Sequence, residues 1–448
     1  MRIRSTFPIS LRITASGRVI IRLPVRRCKS AGRLPLTSLS EDILACSAVI
    51  ELAREPKRIV QRYPWCQRHE TANAGMIEPL DSRVLPPGIR ARFIPGVNGL
   101  RMHVLEAGID QPGRPCVLLL HGFPELAYSW RKVMPPLAEA GYYVVAPDQR
   151  GFGRTTGWDP DYDGDVASFR MMNLVRDVAG LVRALGRRSV KAVVGHDFGS
   201  PVAAWCALMR PDIFSSVTMM SAPFAGPPAP GTAGSAAGSI HQALAALDRP
   251  RKHYQWYYAT REANADMMDC RQGVHAFLRA YYHHKSADWP GNRPHRLNGW
   301  TASELARMPT YYIMDRDRTI AETVAAEMPS QAAIDGCEWL PERELRVYSD
   351  EYRRTGFQGG LQWYRCRTQG VGCAETEIVY GRTIVVPSMF IAGAMDWGIY
   401  QTPGALETMQ SDACSRMSDC HLLDGAGHWV QQEQPEPVVR LLLSFLRG

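Results

Sequence analysis

Residues 191–201 read KAVVGHDFGSP, and this stretch decides how the rest of the chain is organised. The β-branched residues around Val193 predict a buried strand that ends at Gly195, and Asp197 stands where a helix should begin. When a strand turns this sharply into a helix, small residues on both sides of one side chain hold it above the edge of a sheet. The side chain at this position is a carboxylate.

Residues 195–199 have the frame of a nucleophile elbow, G-x-S-x-G, with aspartate in the place of serine. An aspartate carboxylate has an ordinary pKa of about 4, so it is already anionic at neutral pH and attacks without the help of a base. The attack forms an ester and leaves a histidine free for a second step. Aspartate is also common at the N-cap of a helix, so the pentapeptide alone leaves both interpretations of Asp197 open.

The composition is that of a globular protein. Of the 448 residues 45% are hydrophobic and 21% are charged, enough for one large or two ordinary domains. No apolar run approaches the roughly 20 residues of a membrane-spanning helix, so we expect no transmembrane segment. The eleven cysteines form no C-x-x-C pair, which favours reduced thiols inside a cell over a disulfide framework or a zinc site. We therefore expect an intracellular protein, in the cytoplasm unless its N-terminus directs it elsewhere.

The net charge of +8 is concentrated at the front of the chain. Residues 1–76 carry fourteen Lys or Arg and five Asp or Glu, so the rest of the chain has a net charge of −1. This balance predicts no nucleic-acid-binding surface on the main body. No acidic residue precedes Glu41, and such an arginine- and serine-rich segment is typical of mitochondrial targeting peptides. A disordered extension, or one absent from the mature protein, is the alternative, with Met76 available as a second start.

From residue 85 onward, strands alternate with helical stretches. The predicted strands lie at 91–95, 100–105, 116–120, 142–146, 190–194, 217–220, 384–392 and 420–423. This alternation predicts an α/β fold with a mostly parallel sheet flanked by helices, in which reactive groups gather at the carboxyl ends of the strands.

The alternation is interrupted once. Residues 226–239 consist almost wholly of Pro, Gly, Ala and Ser, and the chain from 241 to about 381 is rich in aromatics and helix formers. We predict a basic N-terminal extension (1–84), a first core segment (85–225), an inserted and mainly helical cap (226–383) and a second core segment (384–448).

Three reactive side chains follow strand ends in the order nucleophile, acid, histidine, which is the order in α/β-hydrolases. Asp197 is the predicted nucleophile, Asp396 the orienting acid and His428 the base. Taken singly, Asp396 is equally compatible with a turn residue and His428 with a surface histidine. Their common position at strand ends, in this order, favours a catalytic triad.

The loop at 121–124, HGFP, follows a predicted central strand, where an oxyanion hole is expected. The backbone N–H groups of Phe123 and Phe198 are the predicted donors. Pro124 has no N–H, so it shapes this loop without donating. We expect His121 and His196 to be structural rather than catalytic.

An aspartate nucleophile also restricts the leaving group. Attack on a saturated carbon expels it on the far side, where an oxyanion hole beside the nucleophile does not reach. For a halide, N–H donors from the cap suffice; for an alkoxide, an acid such as a tyrosine hydroxyl is suitable. The cap holds many tyrosines, and composition does not choose among them.

Seven segments, in order along the chain, resemble those of the soluble epoxide hydrolases of the α/β-hydrolase fold. They read HGFPE (121–125), DQRGFG (148–153), GHDFG (195–199), HYQWYY (253–258), WYR (363–365), GAMDW (393–397) and GAGHW (425–429). The resemblance covers residues 85 to 448, and the ordered set is far more specific than any one segment.

This resemblance implies hydrolysis of an apolar epoxide by water to a vicinal diol, through an ester on Asp197, with no cofactor and no metal. In that family one tyrosine early in the cap and one late in it hold the epoxide oxygen, and by position these are Tyr254 and Tyr364. The residues expected to line the substrate pocket are Pro124, Trp256, Trp397 and Trp429. The sequence determines neither the natural epoxide nor the oligomeric state.

One residue departs from the family pattern. Phe198 follows the nucleophile where tryptophan is usual, and because the backbone N–H is the donor, the change mainly reshapes the pocket. Haloalkane dehalogenases resemble this chain in the elbow but bind the halide with side-chain N–H donors, which Phe123 and Phe198 lack. A haloalkane or haloacid dehalogenase is therefore the alternative enzyme, and a ligand-binding member of the fold without turnover is the alternative outside catalysis.

Overall fold

The computed structural model describes residues 10–13, 19–22, 77–111, 113–231 and 237–448. The chain forms two units, Met1–Gly75 and Met76–Gly448. In the first unit, strands β1 (Ser10–Ile13) and β2 (Val19–Arg22) pair in antiparallel fashion. The predicted targeting role of residues 1–76 otherwise lies outside the described residues.

The second unit begins before the predicted boundary at residue 85. Residues 77–84 contact the core: the N–H of Leu80 donates to His103 Nε2 at 3.2 Å, and Arg154 Nη1 donates to the carbonyl of Glu78 at 2.7 Å. Residues 77–84 are too few to show the periodicity of a strand or a helix, so the sequence pattern placed the boundary at residue 85.

The core is built on one sheet of eight strands, and a separate pair of strands lies in the insertion. The strands are β3 (Ile89–Val97), β4 (Leu100–Ala107), β5 (Cys116–Leu120), β6 (Tyr143–Pro147), β7 (Ala192–His196), β8 (Val217–Met220), β9 (Arg251–His253), β10 (Ile313–Asp315), β11 (Ser388–Gly393) and β12 (Met417–Leu423). The order in the large sheet is β12-β11-β8-β7-β5-β6-β4-β3. All its pairings are parallel except β3 with β4 and β4 with β6.

Helices cover the sheet and form most of the insertion. They are α1 (Met134–Glu139), α2 (Met171–Ala184), α3 (Gly199–Met209), α4 (Ala237–Ala245), α5 (Tyr254–Tyr258), α6 (Glu262–Met268), α7 (Gly273–Lys285), α8 (Ala302–Leu305), α9 (Ile320–Ala325), α10 (Gln331–Asp335), α11 (Glu342–Thr355), α12 (Gln358–Thr368), α13 (Cys373–Glu377), α14 (Ala405–Thr408), α15 (Val430–Glu433) and α16 (Pro435–Arg447). The predicted fold class, a mostly parallel sheet flanked by helices with a helical insertion, is confirmed.

Burial explains why the central strands were predictable. Every residue of β5, β6, β7 and β8 is buried, and strands covered by helices on both faces are continuous apolar runs. The predicted strands at 116–120 and 217–220 match β5 and β8 residue for residue. The strand predicted at 384–392 begins only at Ser388, because Pro387 has no N–H to donate to the sheet.

The cap is the segment between β8 and β11, which pair with each other in the sheet. It contains α4 to α13 and the antiparallel pair β9–β10. Helix α4 begins at Ala237, so the last residues of the predicted 226–239 linker are helical. Trp363 of the cap contacts the core, where its indole N–H donates a hydrogen bond of 2.8 Å to the carbonyl of Arg150.

The turn after β7 depends on the absence of side chains at two positions. A Cβ atom on Gly195 would lie 2.0 Å from the carbonyl oxygen of Gly199, and one on Gly199 would lie 2.3 Å from that of Leu120. Asp197 has a φ of 52°, in the left-handed region that few non-glycine residues adopt. The N-cap residue of α3 is Phe198, so the N-cap interpretation of Asp197 is wrong.

We expect Gly195→Ala to lower the free energy of unfolding by about 3 kcal/mol, because the new methyl group overlaps backbone that cannot move aside. Gly180→Ala in α2 is the matched control, since the nearest atom to its added Cβ is Val97 Cγ1 at 3.6 Å. Helix propensity should make the control as stable as the wild type or up to about 1 kcal/mol more stable. Urea unfolding measures both, and equal stability of the two variants would contradict this account of the turn.

Candidate active site

Three side chains meet where β7, β11 and β12 end. His428 Nε2 lies 3.3 Å from Asp197 Oδ2, and His428 Nδ1 lies 3.1 Å from Asp396 Oδ1. The side chains of Asp396 and His428 are each 1% exposed, whereas that of Asp197 is 12% exposed. The structure therefore brings the predicted triad together and leaves the carboxylate of Asp197 as its accessible member.

The geometry around the imidazole defines which nitrogen acts as the base. His428 Nδ1 faces the carboxylate of Asp396 and so carries the proton. His428 Nε2 is buried and, within the described residues, accepts no well-aligned hydrogen bond despite its proximity to Asp197. Its lone pair is therefore available to take a proton from a molecule placed between it and the Asp197 carboxylate.

The carboxylate of Asp197 is held by backbone. Its Oδ1 accepts a hydrogen bond of 3.0 Å from the N–H of Phe123, one of the two predicted oxyanion donors. A Cβ atom on Gly122 would lie 2.3 Å from this oxygen, so only glycine permits the approach. Burial by itself would raise the pKa of Asp197, but the nearby His428 and Lys285 outweigh it and hold the pKa well below its ordinary value.

Asp396 stays ionised for a similar reason. Burial raises its pKa, but the opposing effects of His428 and of hydrogen bonds from Ser221 and Gly398 are larger, so the pKa lies below its ordinary value. The N–H of Gly398 donates to Asp396 Oδ1 at 2.6 Å. A fixed anion at this position orients the imidazole.

Ser221 belongs to this site, and the sequence analysis did not single it out. It directly follows β8, is fully buried and has a φ of 69°. Its hydroxyl donates to Asp396 Oδ2 at 2.5 Å, and its Oγ lies 2.9 Å from His428 Nδ1. Because the hydroxyl proton is given to Asp396, the Oγ lone pair accepts from the imidazole. A polar residue immediately after a predicted parallel strand is the signal that would have found it.

A second buried pair supports the loop that carries His428. His196 Nδ1 lies 2.7 Å from Glu125 Oε2, and His196 Nε2 donates to the carbonyl of His428 at 2.7 Å. Burial would lower the pKa of His196, but Glu125 reverses this and the pKa is raised. His121 contacts the carbonyl of Gly122 through its Nδ1, at 2.8 Å. Both histidines bond to backbone, in keeping with a structural role.

The two predicted cap tyrosines lie together above the elbow. Their ring centroids are 5.8 Å apart, and the Tyr364 ring packs on Phe198 at 4.7 Å. Tyr254 donates its hydroxyl to Gln401 at 2.9 Å and accepts from the amide of Gln255 at 3.1 Å. Burial raises the pKa of both phenols, so they remain protonated donors at neutral pH.

The predicted pocket residues have different surroundings. Trp429 is fully buried against the ring of His428, and Trp397 packs on His295. The carbonyl of Pro124 accepts a hydrogen bond from Tyr282 at 3.3 Å. The ring of Trp256 packs between two histidines of the cap, His241 and His253. These ring contacts give no support to the prediction that Trp256 lines the substrate pocket.

Neither a membrane-spanning helix nor a metal-binding cluster is found in the described residues. No helix there is both long and apolar enough to span a membrane. No group of three His, Cys, Asp or Glu side chains in the same residues is arranged to hold a metal ion.

Comparisons with known proteins agree on one family. Residues 115–435 match the α/β-hydrolase fold family. Epoxide hydrolase A of Mycobacterium tuberculosis is 35% identical over 363 residues, which cover 78% of this chain and 95% of that protein. The chain belongs to the soluble epoxide hydrolase family.

Other members of the family agree with this assignment. The epoxide hydrolase of Caballeronia sordidicola is 30% identical over 355 residues, covering 78% of this chain and 92% of that protein. The structure of an epoxide hydrolase from an endophytic Streptomyces has 31% identity and a TM-score of 0.64, covering 81% of this chain and 96% of that one. Potato epoxide hydrolase I has 28% identity and a TM-score of 0.63, with coverage of 80% and 99%. This epoxide hydrolase family member is thus a hydrolase, as predicted.

We expect Ser221→Ala to lower kcat for styrene oxide by about tenfold or more, because a misoriented imidazole loses part of the 10²- to 10⁴-fold contribution of a general base. Ser216→Ala is the matched control: Ser216 precedes the same strand at its other end, and its hydroxyl donates to the carbonyl of Lys191 at 2.8 Å. Steady-state diol formation measures both variants. An unchanged kcat in Ser221→Ala would contradict a role for Ser221 in orienting the imidazole.

Proposed function

We propose that this enzyme opens an epoxide to a vicinal diol in two steps, through a covalent ester on Asp197. The observation that carries the proposal is an ionised carboxylate at a strained turn, 3.3 Å from an imidazole nitrogen, beneath two buried phenols. A carboxylate nucleophile makes a water-labile ester from an alkylating substrate, and the phenols supply the acid that an alkoxide leaving group requires.

In the first step Asp197 Oδ2 attacks a ring carbon and the C–O bond of the epoxide breaks. Oδ1 is occupied by the N–H of Phe123 at 3.0 Å, so Oδ2 is the freer nucleophile. The electron pair of the broken bond goes to the epoxide oxygen, which takes a proton from Tyr254 or Tyr364. The phenols are suited to this because burial keeps them protonated until an alkoxide develops beside them.

In the second step His428 Nε2 takes a proton from water, and the water oxygen attacks Cγ of the ester. The negative charge that develops on Oδ1 is stabilised by the N–H of Phe123, with Phe198 as the second predicted donor. The tetrahedral intermediate expels the diol oxygen, which receives its proton from His428. Asp197 is left as a carboxylic acid, and its proton returns through water to the phenolate formed in the first step, so that both groups regain their starting state. Asp396 and Ser221 keep the imidazole oriented while it is charged.

Substitutions of the triad should separate the two steps. His428→Gln should accumulate the ester, because ring opening needs no base, whereas Asp197→Ala should never form it. Intact-protein mass spectrometry after incubation with styrene oxide measures this as a mass increase of one substrate molecule. If His428→Gln remains unlabelled while the folded protein still binds substrate, the covalent mechanism is wrong.

Tyr254→Phe and Tyr364→Phe should each slow ring opening by about 10²-fold or more, and ester hydrolysis much less, because the acid acts only in the first step. Tyr258→Phe is the matched control: its ring lies 5.0 Å from that of Tyr364, but its hydroxyl donates to Tyr281 at 3.2 Å. Single-turnover kinetics separates the two rates. If Tyr258→Phe slowed ring opening as much as the other two substitutions, the assignment of Tyr254 and Tyr364 as the acids would be wrong.

A halide-release assay, together with the diol and ester measurements, tests the alternative functions. A dehalogenase would release halide from 1-chlorobutane or chloroacetate, which a pH indicator detects as acid. A binding protein without turnover would form no diol from any epoxide and no ester in His428→Gln. Diol formation by the wild type together with absence of halide release supports the proposed function.

A further inference from the structure

Glu433 is a carboxylate beside the loop of His428 that the mechanism above does not use. It is the last residue of α15, the short helix that follows this loop. Its Oε1 accepts the N–H of Trp429 at 2.9 Å, and its Oε2 accepts the N–H of Gly427 at 2.9 Å and that of Ala287 at 2.8 Å. One carboxylate therefore holds the backbone N–H groups on both sides of the base.

The third of these donors belongs to the cap. Ala287 follows α7, and residues 285–287 pack backbone to backbone against the histidine loop. A Cβ atom on Gly427 would lie 2.6 Å from the backbone N of Ala287 and from the carbonyl oxygen of Lys285. That carbonyl also accepts the N–H of His428 at 2.9 Å. The carboxylate thus joins the loop that carries the base to the cap segment on which the loop packs.

Helix capping explains only part of this arrangement. A glutamate in the first turn of a helix often accepts the N–H of the N-cap residue, which in α15 is Trp429. The N–H groups of Gly427 and Ala287 lie outside the helix, so capping does not require them. An amide NH₂ accepts no hydrogen bond, so glutamine in place of Glu433 would leave at least one of the three donors without its acceptor.

The charge on this carboxylate changes near neutral pH. Burial raises the pKa of Glu433 to about 7, against the opposing effect of its three N–H donors, and Asp288 raises it further. The buried phenol of Tyr311 is the other titratable group beside it, and Glu433 contributes to the raised pKa of that phenol. The ammonium of Lys285 interacts with the carboxylates around the triad instead.

We propose that Glu433 is a positioning residue for ester hydrolysis, which places His428 where its Nε2 takes a proton from water. This inference rests on the proposed function, because only the second step of that mechanism uses a base. Hydrogen bonds to an ionised carboxylate are roughly twice as strong as those to a neutral acceptor. A misplacement of about 1 Å at a reacting group costs about 10²-fold in rate. Ring opening needs no base and should not depend on Glu433.

Glu433→Gln should slow ester hydrolysis by about tenfold or more and leave ring opening within about twofold of the wild type, because only hydrolysis uses the imidazole. The ester should therefore accumulate with styrene oxide, as single-turnover kinetics and intact-protein mass spectrometry measure. Glu322→Gln is the matched control: its carboxylate also accepts a backbone N–H at the start of a helix, that of Thr319 at 2.8 Å, but in α9 of the cap. Both of its rates should match the wild type.

The pH dependence distinguishes positioning from a general loss of structure. The ratio of wild-type to Glu433→Gln hydrolysis rates should be near one at about pH 5.5, where both side chains are neutral, and should rise through about pH 7 as Glu433 ionises. His428 is present in both proteins, so its own titration cancels in this ratio. A ratio that is the same at every pH would show a structural role and contradict the inference.

The outcomes also separate this inference from the function on which it rests. If Glu433→Gln slows both steps equally, or neither, the inference is wrong. If Glu433→Gln does not fold, Glu433→Asp takes its place: the shorter side chain keeps the charge but does not reach all three donors, so the ester should accumulate, and its absence would refute the inference. Ester in His428→Gln but in no Glu433 variant overturns only the positioning role, whereas no ester in His428→Gln overturns the proposed mechanism itself.

Discussion

The position of one carboxylate depends on backbone contacts that leave no room for side chains around it. Asp197 adopts a left-handed φ of 52°, and Cβ atoms on Gly195 and Gly122 would lie 2.0 Å from backbone and 2.3 Å from the carboxylate. These contacts project the carboxylate out of the sheet towards the cap. Both steps of the proposed mechanism use this group, so the same turn constrains the ring opening and the ester hydrolysis.

Buried charged groups stabilise a site only if opposite charges and hydrogen bonds compensate them. Asp396 receives hydrogen bonds from Ser221 and the N–H of Gly398. Glu125 pairs with His196, which in turn donates to the carbonyl of His428. These bonds join the end of β7 to the loops that follow β5, β8, β11 and β12, so the triad geometry is set by contacts between parts of the chain far apart in sequence.

Burial in this apolar site shifts the pKa values of acids and of bases in opposite directions. Burial disfavours the charged form of any group, so it raises the pKa of Tyr254 and Tyr364 and lowers that of Lys285. The phenols therefore stay protonated as donors, and the ammonium of Lys285 favours the anionic form of Asp197. The cap thus affects the protonation of Tyr254, Tyr364 and Lys285, in addition to covering the site.

The sequence by itself determined the fold class and the candidate triad. Continuous apolar runs at 116–120 and 217–220 encode strands buried on both faces, and local motifs at strand ends indicated Asp197, Asp396 and His428. These features were predictable because each lies within a few residues, where the periodicity of burial and the chemistry of a turn are visible.

Only the tertiary structure decided the backbone state of Asp197, the surroundings of Trp256 and the involvement of Ser221 and Lys285. The sequence left Asp197 open as an N-cap, because its positive φ arises from close packing in the turn rather than from any local preference. Ser221 meets Asp396 and His428 across 175 and 207 residues of chain, and although its place directly after a predicted strand is visible in the sequence, its partners are not. Parallel strands bring their carboxyl ends to one edge, and which side chains meet there depends on how distant segments pack.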